Sequence, residues 1–360
     1  MPLFMDLHKA ADYSVKPTVE EIKHNHIADL AVQQKYHVKF LQYWINEEAG
    51  LVFCMMEAPD KESCVAVHRE AHGAMPCNII ELQGGDYQAF MGDDMTVNTY
   101  DIVERADGTM DTGYRIILIT DIISVSEASA IHETIEQLAG QSGGRFIQRP
   151  GNRLMMAFST GQAAMGCATD ILRHIPEKFG TGHELRIGIG AGEPVTEQHE
   201  LFADTIKLAN RLCDIAQNGQ IVIAPLVIEL TKKTALQQVG LLKILNNEDE
   251  RFLHQLIDNI HTMLQDPGFS IDVLSKKLGT SRSQLYRKIT GLTGYSANSF
   301  IRELRLQKAL QLIRSNYGNI TQVAMEVGFT NPSYFAKNFQ DRFGISPLKV
   351  LKSWSENSRI

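Results

Sequence analysis

"NITQVAMEVGFTNPSYFAKNFQDRFGISP" occupies Asn319–Pro347. Its apolar residues recur at helical spacing on either side of Gly328, which reads as a short helix, a glycine turn and a second short helix. Val323, Ala324, Val327, Phe329, Tyr334, Phe335 and Phe339 form the side expected to be buried. Asn331, Ser333, Lys337, Asn338, Gln340 and Arg342 remain as the polar side.

The same arrangement occurs upstream in "SIDVLSKKLGTSRSQLYRKITGLTG", Ser270–Gly294. Ser270 suits a helix N-cap and Gly279 a stop. Val273, Leu274 and Leu278 are expected to seal the first helix, and Leu285 and Ile289 the second. Ser281, Arg282, Gln284, Arg287 and Lys288 are left for the surface. Between the two pairs, "SANSFIRELRLQKALQLIRS" reads as a longer connecting helix. Ahead of both, "RFLHQLIDNIHTML" carries an apolar face at Phe252, Leu256, Ile260 and Met263. A helix that presents Arg, Lys, Asn, Gln and Ser suits a DNA major groove, because Arg and Lys read guanine edges and Asn and Gln read adenine. Helical pairs with polar outer faces also occur in proteins that never touch DNA.

Charge favours the first reading. Residues 251–360 hold 15 Lys+Arg against 7 Asp+Glu, whereas the preceding residues hold 20 against 35. A basic end on an acidic body draws a polyanion to one module.

The region from Arg251 to Trp354 resembles the DNA-binding domain of the AraC/XylS transcription regulators. The resemblance rests on Ala324, Gly328-Phe329, Ser333-Tyr334-Phe335, Phe339, Gly344 and Ser346-Pro347, with the earlier pair matching the first unit. It implies seven helices and two recognition helices, about Ser281–Ile289 and Asn331–Arg342, entering successive major-groove segments of double-stranded DNA. The DNA-contact candidates are Ser281, Arg282, Gln284, Arg287, Lys288, Asn331, Ser333, Lys337 and Asn338. Arg305 on the connecting helix reads as a packing or salt-bridge group. A regulator of this kind, activator or repressor, is expected to meet RNA polymerase.

Upstream, the strand "YRIILITDI", a helix from about Ser126 to Gly140, the hairpin-like "GGRFIQRPGNRLMMAF" and the helix "GQAAMGCATDILRHI" come first. "HELRIGIGAGE", "ADTIKLANRLCDIA" and "GQIVIAP" complete an α+β pattern. The span Tyr114–Pro225 resembles the catalytic domain of class III nucleotide cyclases. That resemblance places Asp121 at the first metal ligand and Arg211 at the arginine that contacts phosphate. It also places Asn152 where a second aspartate belongs, and Lys207 where an asparagine orients the ribose. Without a second carboxylate the pair of cations is not held, so no cyclase activity is expected. Asp121, Lys207 and Arg211 remain ligand-site candidates. Asp121 equally suits capping the next helix, and Arg211 pairing with an acidic neighbour. The resemblance further implies a homodimer, since cyclase sites are built between two copies.

The first 90 residues read as helix, hairpin, helix and a last strand at "CNIIELQ", and they concentrate histidines. His68 and His72 are four apart, on one helix face. Imidazole and thiolate suit borderline cations such as nickel, zinc or copper. "MPLFMDLH", "HIADLAVQQKYHVKFLQYWINEEAGLVFCMMEAPDKESCVAVHREAHG" and "NIIEL" resemble a small ferredoxin-like, nickel-binding family of the DUF4242 type. The resemblance makes His8, His26, Cys54, His68 and His72 the metal-ligand candidates, with a divalent transition metal such as nickel as cofactor.

At 360 residues, 44% hydrophobic and 21% charged, the chain fits several globular domains. Five irregularly spaced cysteines argue against a disulfide framework. The N-terminus does not read as a secretory signal and no run is long enough for a membrane helix, so a cytoplasmic protein without membrane contact is expected. The expected organisation is multidomain. A ferredoxin-like α+β domain (1–90), a linker (91–112), a degenerate cyclase-like α+β domain (113–245) and an all-α double helix-turn-helix domain (246–360) follow in order. The function expected is a sequence-specific DNA-binding regulator whose N-terminal domains sense a ligand or metal and dimerise. The alternatives are a cyclase-like enzyme with residual activity and a metal-binding scaffold.

Overall fold

The computed structural model describes residues 1–10, 17–92, 96–123, 128–147, 153–197, 200–231, 241–266 and 268–357. The chain divides into two compact units. One comprises residues 1–117, 157–160 and 191–207, the other residues 118–156, 161–190 and 208–360.

In the first unit, β1 (Leu3–Lys9) lies at the heart of a four-stranded sheet with β2 (Lys39–Asn46), β3 (Leu51–Glu57) and β4 (Asn78–Leu82), ordered β2-β3-β1-β4. β1 pairs antiparallel with both β3 and β4. Alternation along β1 puts Phe4, Asp6 and His8 on one face, opposite Met56, Cys54 and Val52 of β3. Phe4, Cys54 and Met56 join Phe40, Tyr43, Cys64 and Val67 in one core. Asp6 and His8 therefore point the same way as core residues, and both are buried.

Two helices contribute to that core. In α1 (Val19–Val32), Thr18 and Glu21 form a reciprocal capping box. In α2 (Lys61–Ala71), Asp60 accepts from the Ser63 amide. The stretch 91–112, expected to be a linker of marginal structure, contains β5 (Thr96–Val97) and β6 (Val103–Glu104). It also buries Asp111, which pairs with buried Arg115 at 3.0 Å.

A six-stranded sheet follows, built from β7 (Arg115–Ile123), β8 (Arg145–Ile147), β9 (Arg153–Phe158), β10 (Glu184–Gly192), β11 (Gln220–Ile223) and β12 (Leu242–Ile244). Its order is β12-β11-β10-β7-β9-β8, with β10, β11 and β12 parallel to one another. The accompanying helices are α3 (Asp86–Met91), α4 (Ala128–Gln141), α5 (Gly161–Phe179), α6 (Ala203–Ile215) and α7 (Pro225–Glu229). α6 lies so close on β10 that a Cβ at Gly188 would meet the Ala209 carbonyl and the Cys213 amide at 2.3 Å.

The C-terminal helices are α8 (Asn247–Met263), α9 (Ile271–Lys277), α10 (Arg282–Thr293), α11 (Ala297–Arg314), α12 (Ile320–Glu326), α13 (Pro332–Phe343) and α14 (Pro347–Asn357). Side chains fix their starts. Ser270, Ser281, Ser296, Asn319 and Asn331 each accept backbone N–H groups at an N-cap. Phe329, Phe335, Phe339 and Phe343 stack in sequence within the core shared by α11 to α14. Gly328 makes the turn between α12 and α13 at φ +81°, where a Cβ would strike the Leu264 carbonyl at 2.2 Å.

Three side chains depart from the periodicity. Tyr334 is 54% exposed and Val273 40% exposed, although both were expected in the core. Tyr334 precedes Phe335, and successive helical positions face about 100° apart, so only one of the two can point inward. Arg342 does not remain on the polar face but enters an ion-pair network with Glu184 and Glu303.

Phe339→Ala is expected to cost about 3–5 kcal/mol, as truncation of a buried aromatic does. Tyr334→Ala should stay within about 0.5 kcal/mol. Urea unfolding of the full chain followed by far-UV circular dichroism separates the two; equal effects would contradict this packing.

Candidate functional site

α10 and α13 carry the residues expected to contact DNA. On α10, Leu285 and Ile289 are buried while Arg282, Arg287 and Lys288 are exposed. Ser281 and Gln284 are occupied with each other, closing the helix start through a capping box. Arg282 pairs with Asp272 at 3.3 Å, both well exposed, and Lys288 with Glu248 at 3.0 Å. Such exposed pairs are weak enough for a phosphate to displace. On α13, Ser333, Tyr334 and Lys337 are exposed. Asn331 is the N-cap, accepting from the Ser333 and Tyr334 amides, and Asn338 donates to the Tyr334 carbonyl at 2.8 Å. Arg305 packs instead of reading, with its guanidinium over Phe269 and its Nη2 3.4 Å from the Asp266 carbonyl.

A second polar constellation lies in the first unit. His68 on α2 is 1% exposed and sits between two carboxylates. Its Nε2 is 2.8 Å from Asp6 Oδ2 of β1, and its Nδ1 is 3.1 Å from Asp29 Oδ1 of α1. His72, one turn further along α2, brings Nε2 to 3.4 Å from His68 Nδ1 and 3.2 Å from Asp29 Oδ2. His8 reaches Asp6 at 3.5 Å. Two potential ligand groups result, Asp6–His8–His68 and Asp29–His68–His72. Of the sequence candidates, His8, His68 and His72 converge. His26 is drawn to Asp101 at 3.0 Å and packs against Tyr43. Cys54 lines the same cavity and donates its backbone N–H to Asp6 Oδ1.

The two aspartates were missed by sequence reasoning. Asp6 alternates in register with Phe4 on a core-facing strand, and that buried carboxylate position was the available signal. Burial opposes the ionised form of Asp6, yet His8 and His68 hold its carboxyl well below the usual range. Asp29 is likewise lowered, against its burial, by hydrogen bonds from His68 and His72. Burial disfavours a charged His68, but Asp6 and Asp29 together raise it to about 10. Burial, with Asp6 and Asp29 nearby, pushes the Cys54 thiol well up, so it stays protonated.

The ligand candidates Asp121 and Arg211 are engaged. Asp121 Oδ2 lies 3.5 Å from Arg153 Nη2, and the same nitrogen is 2.5 Å from Asp214 Oδ1. Arg211, 3% exposed, bonds to His254 and Asp258 of α8. Lys207 is exposed on α6. Asn152 lies outside the described residues.

Comparison with known proteins agrees with this geometry at both ends. A family model described as "Helix-turn-helix domain" matches residues 274–353. Another, "Nickel responsive protein SCO4226-like", matches residues 4–82. The helix-turn-helix match thus lies behind the SCO4226-like match along the chain. It is similar to Histidine kinase P4 of Formosa agariphila, 36% identical over 108 residues, which cover 30% of this chain and 8% of that one. It is also similar to the HTH-type transcriptional regulator MtrA of Neisseria gonorrhoeae, 25% identical over 225 residues, 61% of this chain and 70% of that one. Among solved structures, the adenylate/guanylate cyclase/hydrolase of Silicibacter pomeroyi matches at 25% identity. That match covers 32% of this chain and 78% of that one, with a TM-score of 0.28. No described helix is long and apolar enough to cross a membrane.

The His68 cluster should leave a pH signature. Its pKa is raised from 6.5 to about 10, so its stabilising contribution is complete below pH 6.5 and lost as pH rises through 10. Asp6 and Asp29 have the opposite sign, and their contribution is lost as acid protonates them. Thermal melts of the metal-free chain are expected to lose midpoint between pH 7 and pH 10. His68→Gln should flatten that limb, and an unchanged slope in the variant would contradict the assignment.

Proposed function

We propose that this chain is a sequence-specific DNA-binding transcription regulator of the cytoplasm, acting as a homodimer and meeting RNA polymerase at its promoters. The observation that carries the reading is the pair of N-capped helices α10 and α13, each sealed by a buried aliphatic or aromatic row and each presenting cationic and amide groups outward. The basic balance of residues 251–360 supports it.

We further propose that the N-terminal region senses a divalent transition metal of the nickel class. The donor set fits such an ion. The Asp29, His68 and His72 donor atoms lie 3.1–3.4 Å apart. Ligands about 2.1 Å from one ion adopt similar mutual spacings. Asp6 on the far edge of His68 would hold the ring's tautomer and orientation, as carboxylates behind metal-bound imidazoles do. One ion uses only one edge of an imidazole, so Asp6–His8 and Asp29–His72 are rival partners for it. A bound ion would supply charge that draws α1 and α2 together, and it must first displace the His68 proton.

An enzymatic reading is less well supported. Arg153 stands against both Asp121 and Asp214, supplying in covalent form the positive charge that a catalytic cation would bring. Arg211 is turned to Asp258 and His254, where the cyclase resemblance implies a phosphate contact.

Site selection from random DNA by the full chain is expected to enrich one asymmetric sequence with two blocks about one helical turn apart. Arg287→Ala and Lys337→Ala should alter different blocks or lower the salt dependence by roughly one charge each. No enrichment by folded protein would overturn the regulator reading. Titration calorimetry with Ni²⁺ should show affinity that rises between pH 6 and pH 8. Binding should be lost in His68→Ala and His72→Ala and retained in Cys54→Ser; retention in both histidine variants would overturn the metal reading.

A further inference from the structure

At the C-terminal turn of α13, Arg342 is only 16% exposed and is gripped by two carboxylates. Its Nη1 and Nη2 lie 2.9 and 2.7 Å from the two oxygens of Glu184, at the start of β10. Its Nε and Nη2 lie 2.7 and 2.9 Å from those of Glu303, on α11. Arg186 of β10, 2% exposed, bridges the same carboxylates through Nη2, 3.0 Å from Glu303 and 3.2 Å from Glu184. Gln307 adds a bond to Glu303 at 3.0 Å.

Two features make this more than incidental packing. Two forked contacts by one guanidinium fix its plane as well as its place, which a lysine's single ammonium does not do. The second is cost. Arg186 leaves Nε and Nη1 without partners among the described residues, and a buried, incompletely satisfied ion pair is a poor source of stability compared with apolar packing. What the network does supply is geometry. The helix that carries Ser333 and Lys337 on its outer face is tied at its other end to a strand of the six-stranded sheet. Both reading faces remain exposed while the ties are made.

We propose that Arg342, with Glu184, is a positioning pair for DNA reading. β10 sets the pose of α13, so recognition of one DNA block depends on a strand residue more than 140 positions upstream of that helix. The inference rests on the regulator reading. It adds that the sheet is a working part of the reading device and not a separate passenger. A change that shifts β10 is thereby conveyed to the second reading helix through the Arg342 ties, whereas the first is tied to the sheet at its far edge, where Lys243 of β12 donates to the Gly291 carbonyl at 2.9 Å.

The test uses full-chain protein and the site it selects, with Lys337→Ala and Arg287→Ala marking the blocks read by α13 and α10. Glu184→Gln is the informative variant. Glu184 is the most exposed member of the network, and its loss leaves Arg342 still paired with Glu303. Competition binding against single-base variants of the site is expected to show about tenfold less discrimination in the α13 block and less than twofold change in the α10 block. Arg342→Lys should act in the same direction, and the double variant should add little, as members of one contact do. Full discrimination retained in Glu184→Gln, or an equal loss of affinity for every sequence, overturns the positioning role while leaving the regulator reading intact. A wild-type chain that selects no sequence overturns both.

Discussion

His68 has a carboxylate on each edge, and Arg186 and Arg153 each bridge two. A charge removed from water must meet an opposite charge at hydrogen-bonding distance, and that constraint ties together elements remote in sequence. In the first unit it joins β1, α1 and α2 around one imidazole. In the second it joins β9 to α6 through Arg153, α6 to α8 through Arg211, and β10 to α11 and α13 through Arg186 and Arg342. Apolar packing builds each layer. The ion pairs decide which layers belong together and in what orientation.

This gives the six-stranded sheet and its helices charged joints as well as apolar packing. In a phosphoryl-transfer site, carboxylates at strand ends remain open to cations and an arginine to phosphate. Here Asp121 faces an arginine and Arg211 faces an aspartate of a neighbouring helix. These charges meet each other and act as joints between elements. The N-terminal cluster differs, because its donors border a cavity lined by His8, His26, Asp29, His68 and His72. His72 also keeps partial access to solvent, with its side chain 10% exposed.

Much of the C-terminal fold was legible in the chain. Ser270, Gly279 and the phenylalanine spacing mark helix limits by local chemistry: a side chain that caps its own helix, a glycine that tolerates positive φ, and a period of 3.6. Tyr334 and Val273 were misplaced because an apolar residue beside the buried stripe has the same local signature as one within it. The metal-ligand candidates were half legible. Histidines attract notice as imidazoles, and His68 and His72 share a helix face by spacing alone. Asp6 and Asp29 look like ordinary acidic residues until the register of β1 and the packing of α1 aim them at one ring.

The sequence by itself determined the order of modules and the basic character of the C-terminal end, which are read from composition and motif order, and the helical units with their caps and turns, which follow from interactions between residues a few positions apart. Only the tertiary structure decided that Asp6 and Asp29 enclose His68, that Arg153 occupies Asp121, and that Arg342 answers to Glu184. Those pairings span from 32 to 158 positions. Ion pairing has no sequence periodicity. A buried charge accepts any opposite charge that the fold delivers, so its partner is fixed by packing.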